Sequence, residues 1–148
     1  MSTNAVTRIL EKFCDDTCRA SRGEPVDPFS TCHDDLTWAM TGNTPVCDTY
    51  QGLDEFRAKI GPKLATQFKP GPEFGLYPVE CIVEGDRFAM VARGCGEGAN
   101  GITYNNSYFF FGEIKDGKIF KIIESCDGAL VMRSAYNMKL LEAEPQKS

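Results

Sequence analysis

Ile82-Val-Glu-Gly-Asp-Arg-Phe-Ala-Met-Val-Ala-Arg93, Ile102-Thr-Tyr-Asn-Asn-Ser-Tyr-Phe-Phe-Phe-Gly-Glu-Ile114 and Lys118-Ile-Phe-Lys-Ile-Ile-Glu-Ser-Cys-Asp127 decide the reading of this chain. The runs are rich in β-branched and aromatic residues, and Gly85-Asp86 and Asp116-Gly117 punctuate them. Those dipeptides tolerate the positive φ that two-residue hairpin turns demand, so residues 77–127 read as an antiparallel meander. A sheet with one wet face alternates apolar and polar residues cleanly. Here Tyr108-Phe-Phe-Phe111 and Ile119-Phe-Lys-Ile-Ile123 put bulk on both faces, so both need cover. Helices supply one cover. A second copy of the same sheet is the expected other, which predicts a homodimer through the convex face.

Upstream of the meander, Val6, Ile9, Leu10, Phe13 and Cys14 recur at three- and four-residue steps. This spacing predicts an amphipathic helix starting near Asn4, under a Ser2 or Thr3 cap, and fading near Ser21. The two prolines of Glu24-Pro-Val-Asp-Pro-Phe29 impose a turn, and Leu36-Thr-Trp-Ala-Met40 reads as a first strand. Leu53, Phe56, Ile60, Leu64 and Phe68 mark one face of a second helix, which Gly61-Pro62 should kink or split. Residues 129–141 are expected to form a last helix capped by Asp127, and 142–148 a frayed tail. Helices first and a meander afterwards give an α+β fold, and 148 residues suit one domain spanning 1–148.

A net charge of −5 with no basic block argues against nucleic acid and anionic membranes as partners. No run approaches 18 apolar residues and no signal-like segment opens the chain, so a soluble cytoplasmic protein is expected. The seven cysteines form no CxxC and the chain has one histidine. Buried free thiols are the expectation, with neither a metal site nor a cofactor.

Leu36-Thr-Trp-Ala-Met-Thr-Gly42 followed by Tyr50-Gln-Gly52 resembles the N-terminal half of the nuclear transport factor 2-like superfamily. Glu84-Gly-Asp-Arg87, Tyr104-Asn-Asn-Ser-Tyr108, Asp116-Gly-Lys-Ile119 and the Glu124 to Asp127 ending resemble its C-terminal half, in the same order. The pattern is most similar to the SnoaL-like polyketide cyclase and ketosteroid isomerase-like branch. The resemblance implies a cystatin-like cone: a curved antiparallel or mixed sheet wrapped around N-terminal helices, with an apolar pocket open at one end.

Glu124 is the leading catalytic candidate. It interrupts Ile119-Phe-Lys-Ile-Ile123, and simple alternation places it on one face with Phe120 and Ile122. Desolvation on an apolar face raises a carboxyl's pKa and makes it a usable acid or base near neutrality. The resemblance implies a working Asp five residues after the turn isoleucine, and Glu124 stands at that spacing from Ile119. Asp127 is a second candidate, with helix capping as its competing role. Arg93 is a third, able to neutralise an oxyanion or pair with Glu124. Limonene epoxide hydrolases, which the Arg93 region resembles, carry an Asp two residues after their Arg. Cys95 stands there in this chain, which speaks against epoxide hydrolysis.

Trp38 is expected as a pocket wall, and Asp35 and Tyr50 as further substrate-binding residues, together with Tyr104, Asn106, Tyr108 and Phe109. Their facing depends on the Asp116-Gly117 turn. A two-residue turn pairs Glu124 with Phe109 and sends Tyr104, Asn106 and Tyr108 toward a dimer partner; a bulged turn pairs it with Tyr108 and sends them into the pocket. His33 is expected to be exposed, and Cys95 and Cys126 to be unreactive. The expected function is a cofactor-independent isomerase or cyclase using acid/base proton transfer on an apolar oxygenated molecule such as a polyketide, terpenoid or steroid-like ketone. The alternatives are a non-catalytic ligand-binding or dimeric assembly module, and an epoxide hydrolase or dehydratase of the same fold.

Overall fold

The computed structural model describes residues 2–71, 74–139 and 141. Its elements are α1 (Thr3–Ser21), β1 (Cys32–Met40), β2 (Thr49–Gln51), α2 (Leu53–Gln67), β3 (Gly75–Glu84), β4 (Arg87–Glu97), β5 (Thr103–Lys115), β6 (Lys118–Cys126) and α3 (Gly128–Ala135). The strands form one mixed sheet in the order β2-β1-β6-β5-β4-β3, parallel only between β1 and β6. This is an α+β fold. The predicted tail, 142–148, lies outside the described residues, as does Leu140 of the predicted last helix.

α1 buries Val6, Leu10, Phe13 and Cys14 of the expected stripe and extends it to Cys18, while Ile9 is only partly buried. Ser2 occupies the N-cap position without a side-chain capping bond. Asp16 is also buried, where it accepts from Lys12 Nζ and from Ser30 Oγ at 2.7 Å, fastening the proline-bearing turn to the helix. α2 runs through Gly61-Pro62 as one element, so of the expected kink or split the split does not occur. An interior proline costs about 3 kcal/mol. Burying Leu53, Phe56 and Ile60 returns about 1.5–3 kcal/mol each, and Gly61 presents no Cβ to clash with the proline ring.

The hairpin turns carry positive φ at Gly85 (62°), Asp116 (51°) and Gly117 (76°). Beyond the second turn, Ile114 pairs with Ile119 but Glu113 pairs with Lys121, so Phe120 is an extra residue in β6. The bulge turns Phe120 outward, edge-on to the His33 ring at 5.4 Å and beneath Lys115 Nζ. Phe120 therefore does not share Glu124's face. Glu124 pairs with Phe110, two residues from the partner expected of a bulged turn, because the extra residue sits in β6 rather than β5. The parity is nonetheless that of the bulged case: Tyr104, Asn106, Tyr108 and Phe110 are on the concave side with Glu124. Gly112 has to lack a side chain, since a Cβ there would lie 2.2 Å from the Lys121 carbonyl and 2.6 Å from the Phe88 ring.

The concave face, α1 and α2 enclose the core, with Val6, Leu36, Ala92 and Ile119 fully buried. The convex face leaves Ile82 65%, Phe109 57% and Phe111 43% exposed. Among the described residues, no helix is long and apolar enough to cross a membrane, and no cluster of three or more His, Cys, Asp or Glu side chains could hold a metal ion. All seven cysteines are free; Cys14, Cys18 and Cys32 are buried and the other four only partly so.

Candidate functional site

α1 packs on β3 and α2 on β1, near opposite edges of the sheet. The middle strands are left to floor a cavity of about 540 Å³. Aromatic rings dominate its wall: Phe13, Phe29, Trp38, Phe56, Phe68, Phe74, Tyr104, Tyr108 and Phe110. Gly94 makes room for one of them, since a Cβ there would fall 2.4 Å from the Tyr108 ring.

Glu124 enters this wall from β6 and is 8% exposed. Its backbone neighbour across the parallel pairing is Met40, and Trp38 lies one inward-facing position along β1. From there the indole Nε1–H donates to Glu124 Oε2 at 2.8 Å. Trp38 is itself held by stacking on Phe56 at 4.3 Å between ring centroids. Burial pushes the Glu124 carboxyl up from its ordinary 4.5 to about 7, with the Trp38 bond acting in the opposite sense. A carboxyl so placed can release or accept a proton near neutral pH.

Beside it, the Tyr104 and Tyr108 hydroxyls share a hydrogen bond. Burial raises both phenols above their ordinary range, so they remain neutral O–H groups in neutral solution. Asn106 Nδ2 donates to Tyr104 Oη at 3.0 Å. The same amide group donates to the Asp127 carbonyl at 3.1 Å, while its Oδ1 accepts from the Asp127 N–H at 2.9 Å. Asn106 is thus a clamp joining β5 to the start of α3, and it does not line the cavity.

Other residues chosen from sequence lie elsewhere. Asp127 caps α3, its Oδ1 accepting from the Ala129 and Leu130 N–H groups at 2.9 and 3.1 Å. Arg93 faces the convex side with Ser107, whose Oγ accepts from its Nη1 at 3.3 Å. It cannot reach Glu124, because Ala92 and Gly94 hold the inward positions on β4. Phe109 is outward by the same alternation. Asp35 projects into solvent, 82% exposed, and Tyr50 is buried outside the cavity wall, its hydroxyl donating to the Val46 carbonyl at 2.6 Å. Tyr50 still serves the site indirectly, since its ring meets Phe56 edge-on at 5.5 Å behind Trp38. His33 is half-buried against Phe120, not exposed as expected. The sequence reading missed Phe110, Phe29 and Phe74. Phe110 was open to inference, being two residues from Tyr108; the other two sit in irregular segments where no periodicity assigns a face.

No family model matches the sequence, and no curated protein does. Solved structures match over nearly the whole chain. A protein of unknown function from Burkholderia pseudomallei K96243, described as NTF2-like, superposes with a TM-score of 0.73 at 19% identity, covering 91% of this chain and 98% of that one. A protein from Jannaschia sp. CCS1, provisionally described as a SnoaL-like polyketide cyclase, gives 0.72 at 15% identity, with 94% and 98% covered. TerC, co-crystallised with polyporic acid, gives 0.63 at 17% identity, with 90% and 96% covered. At these identities the likeness is one of architecture. The chain has the nuclear transport factor 2-like fold, an α+β cone whose bent mixed sheet shelters an aromatic cavity and one buried acid.

Proposed function

We propose that this protein binds an apolar oxygenated small molecule in the cone and moves a proton on it, as a cofactor-independent isomerase or cyclase. One observation carries the reading: the cavity of about 540 Å³ is walled largely by aromatic and aliphatic side chains, and Glu124, the one carboxylate among its described lining residues, clusters there with the Tyr104–Tyr108 hydroxyl pair. Ionised Glu124 takes a proton from carbon adjacent to a carbonyl. Charge then develops on the carbonyl oxygen, where a phenolic O–H from the tyrosine pair donates to it. Glu124 returns the proton at a second carbon, completing an isomerisation, or the enolate attacks a second carbonyl and closes a ring, with Glu124 returning the proton to the new alkoxide. Arg93 has no part in this scheme, which removes the cation an epoxide hydrolase of this type would use. The ligand class is a polyketide, terpenoid or steroid-like ketone, and the SnoaL-like polyketide cyclase and polyporic acid-bound structures of the same fold support its polyketide member. We further propose that the exposed convex-face residues Ile82, Phe109 and Phe111 pair two chains as a homodimer.

The test uses polycyclic enones and β-diketones incubated with the protein in heavy water, with deuterium uptake followed by mass spectrometry. Wild type is expected to catalyse uptake, and Glu124→Gln to lose about 10²–10⁴-fold in rate while binding within a few-fold of wild type. Equal rates for both proteins would refute the role of Glu124. Binding without uptake by either would identify a non-catalytic binding module instead.

A further inference from the structure

Glu124 walls two spaces. Besides the large cavity it borders a chamber of about 70 Å³ between α2, the segment after β1 and the start of α3. Met40, Ile60, Leu64, Phe68, Tyr104 and Tyr108 join Glu124 in bordering both spaces and so form the partition between them. The chamber's wall is mostly apolar but includes the Thr44 hydroxyl, the Gln67 amide and the thiols of Cys47 and Cys126. Its position is fixed on Glu124 itself: the Thr41 N–H and Oγ1 donate to the Glu124 carbonyl at 2.9 and 3.0 Å.

Size and chemistry together select the occupant. A water needs roughly 10–15 Å³ of such volume and two to four polar partners, so the chamber has room for a few waters and none for an organic substrate. Trp38 occupies Oε2 of the carboxyl, so Oε1 is the oxygen for a water to meet. A ligand filling the large cavity covers Glu124 from that side, which leaves the chamber as its way to solvent.

We propose that this chamber is a water site through which Glu124 exchanges its proton with solvent while the large cavity is occupied. The exchange is balanced: the neutral carboxyl gives H⁺ to a chamber water, leaving carboxylate and hydronium, and the reverse restores it. The titratable and charged groups facing Glu124 are Tyr104 and Tyr108 from β5, Cys126 from β6, Cys47 from the segment after β1, Lys63 from α2 and Tyr50 from β2. Burial pushes the Cys126 thiol up to about 12, and both cavity phenols upward, so these do not compete for the proton near neutrality. The catalytic value of such a route rests on the function proposed above; the route itself does not.

The experiment follows hydrogen–deuterium exchange of the Glu124 carboxyl by its infrared C=O stretch, identified as the band absent from Glu124→Gln. Anilinonaphthalene sulfonate fills the large cavity, its occupancy read from quenching of the single tryptophan, Trp38. Wild-type exchange is expected to continue with the probe bound. Val131→Phe, which fills the chamber, is expected to slow it at least about tenfold under the same condition; Cys126→Leu serves if the first variant fails to fold. Loss of wild-type exchange on probe binding, unchanged exchange in the folded filled-chamber variant, or a high-resolution crystal structure with a dry chamber would each overturn the proposal. No turnover enters this measurement, so a failure of the catalytic reading appears only in the deuterium-uptake assay.

Discussion

Glu124→Gln makes a stability measurement as informative as an activity one. The substitution keeps the side chain's shape and an amide oxygen that can still accept from Trp38. What it removes is a carboxyl that burial raises from 4.5 to about 7. A rise of about two and a half pKa units, at about 1.4 kcal/mol each, amounts to about 3 kcal/mol. The group is 8% exposed, so solvent screening does little to reduce that figure. The sign follows from which state binds the proton more tightly. Folded Glu124 holds its proton above the pH at which the unfolded chain has lost it. Its stabilising contribution is therefore complete below about pH 4.5, declines as pH rises, and is gone past about pH 7. Urea unfolding of both proteins, at one fixed protein concentration and at intervals from about pH 4 to about pH 8.5, isolates the effect, because other titrating groups cancel in the difference. The variant's stability relative to wild type is expected to grow by about 3 kcal/mol across that window. Parallel curves would mean that Glu124 is solvated in the folded protein, and the acid/base reasoning would fall with it.

Trp38→Phe removes the donor that favours ionised Glu124, so the carboxyl's pKa should rise further; the limb of the pH–rate profile governed by the ionised base then moves to higher pH. Tyr108→Phe is expected to lower kcat about 10²–10³-fold with ligand Kd little changed, as loss of a donor to a developing oxyanion does. Asn106→Ala orphans the Asp127 N–H and carbonyl, and should cost about 3 kcal/mol in urea unfolding with faster amide exchange across α3. On the proposed dimer interface, wild type is expected to sediment as a dimer and Phe111→Lys as folded monomers in analytical ultracentrifugation; an unchanged sedimentation coefficient would refute that interface.

The architecture was legible because its signals are local. Asp116-Gly117 and Gly85-Asp86 fix turns by φ alone, and the α1 stripe fixes a buried face by spacing alone. The site was less legible because facing in a strand has a period of two, so a single extra residue inverts every assignment beyond it. Phe120 is that residue. Were Phe120 paired in an uninterrupted ladder, Glu124 would lie opposite Phe109 and its carboxyl would face the convex side; with Phe120 bulged out, the carboxyl joins Phe110 and Tyr108 inside. Nothing in Ile119-Phe-Lys-Ile-Ile123 marks the bulge by composition. The bulge coincides with contacts from distant residues, His33 on β1 and Lys115 across the turn, both meeting the outward Phe120 ring. Asn106 escaped for a related reason: alternation correctly placed it on the face of Tyr104, but only the return of the chain at Asp127 turns that amide into a clamp. Arg93 is the converse case, since the resemblance suggested a role that strand parity excludes. Chemistry in this fold is thus set by a register that long-range packing selects. Deleting Phe120 removes the bulge yet leaves Ile119 opposite Ile114 and Lys121 opposite Glu113, so Glu124 should keep its place opposite Phe110. The infrared band of the buried carboxyl should therefore persist in that variant, and its loss would refute this account of the register.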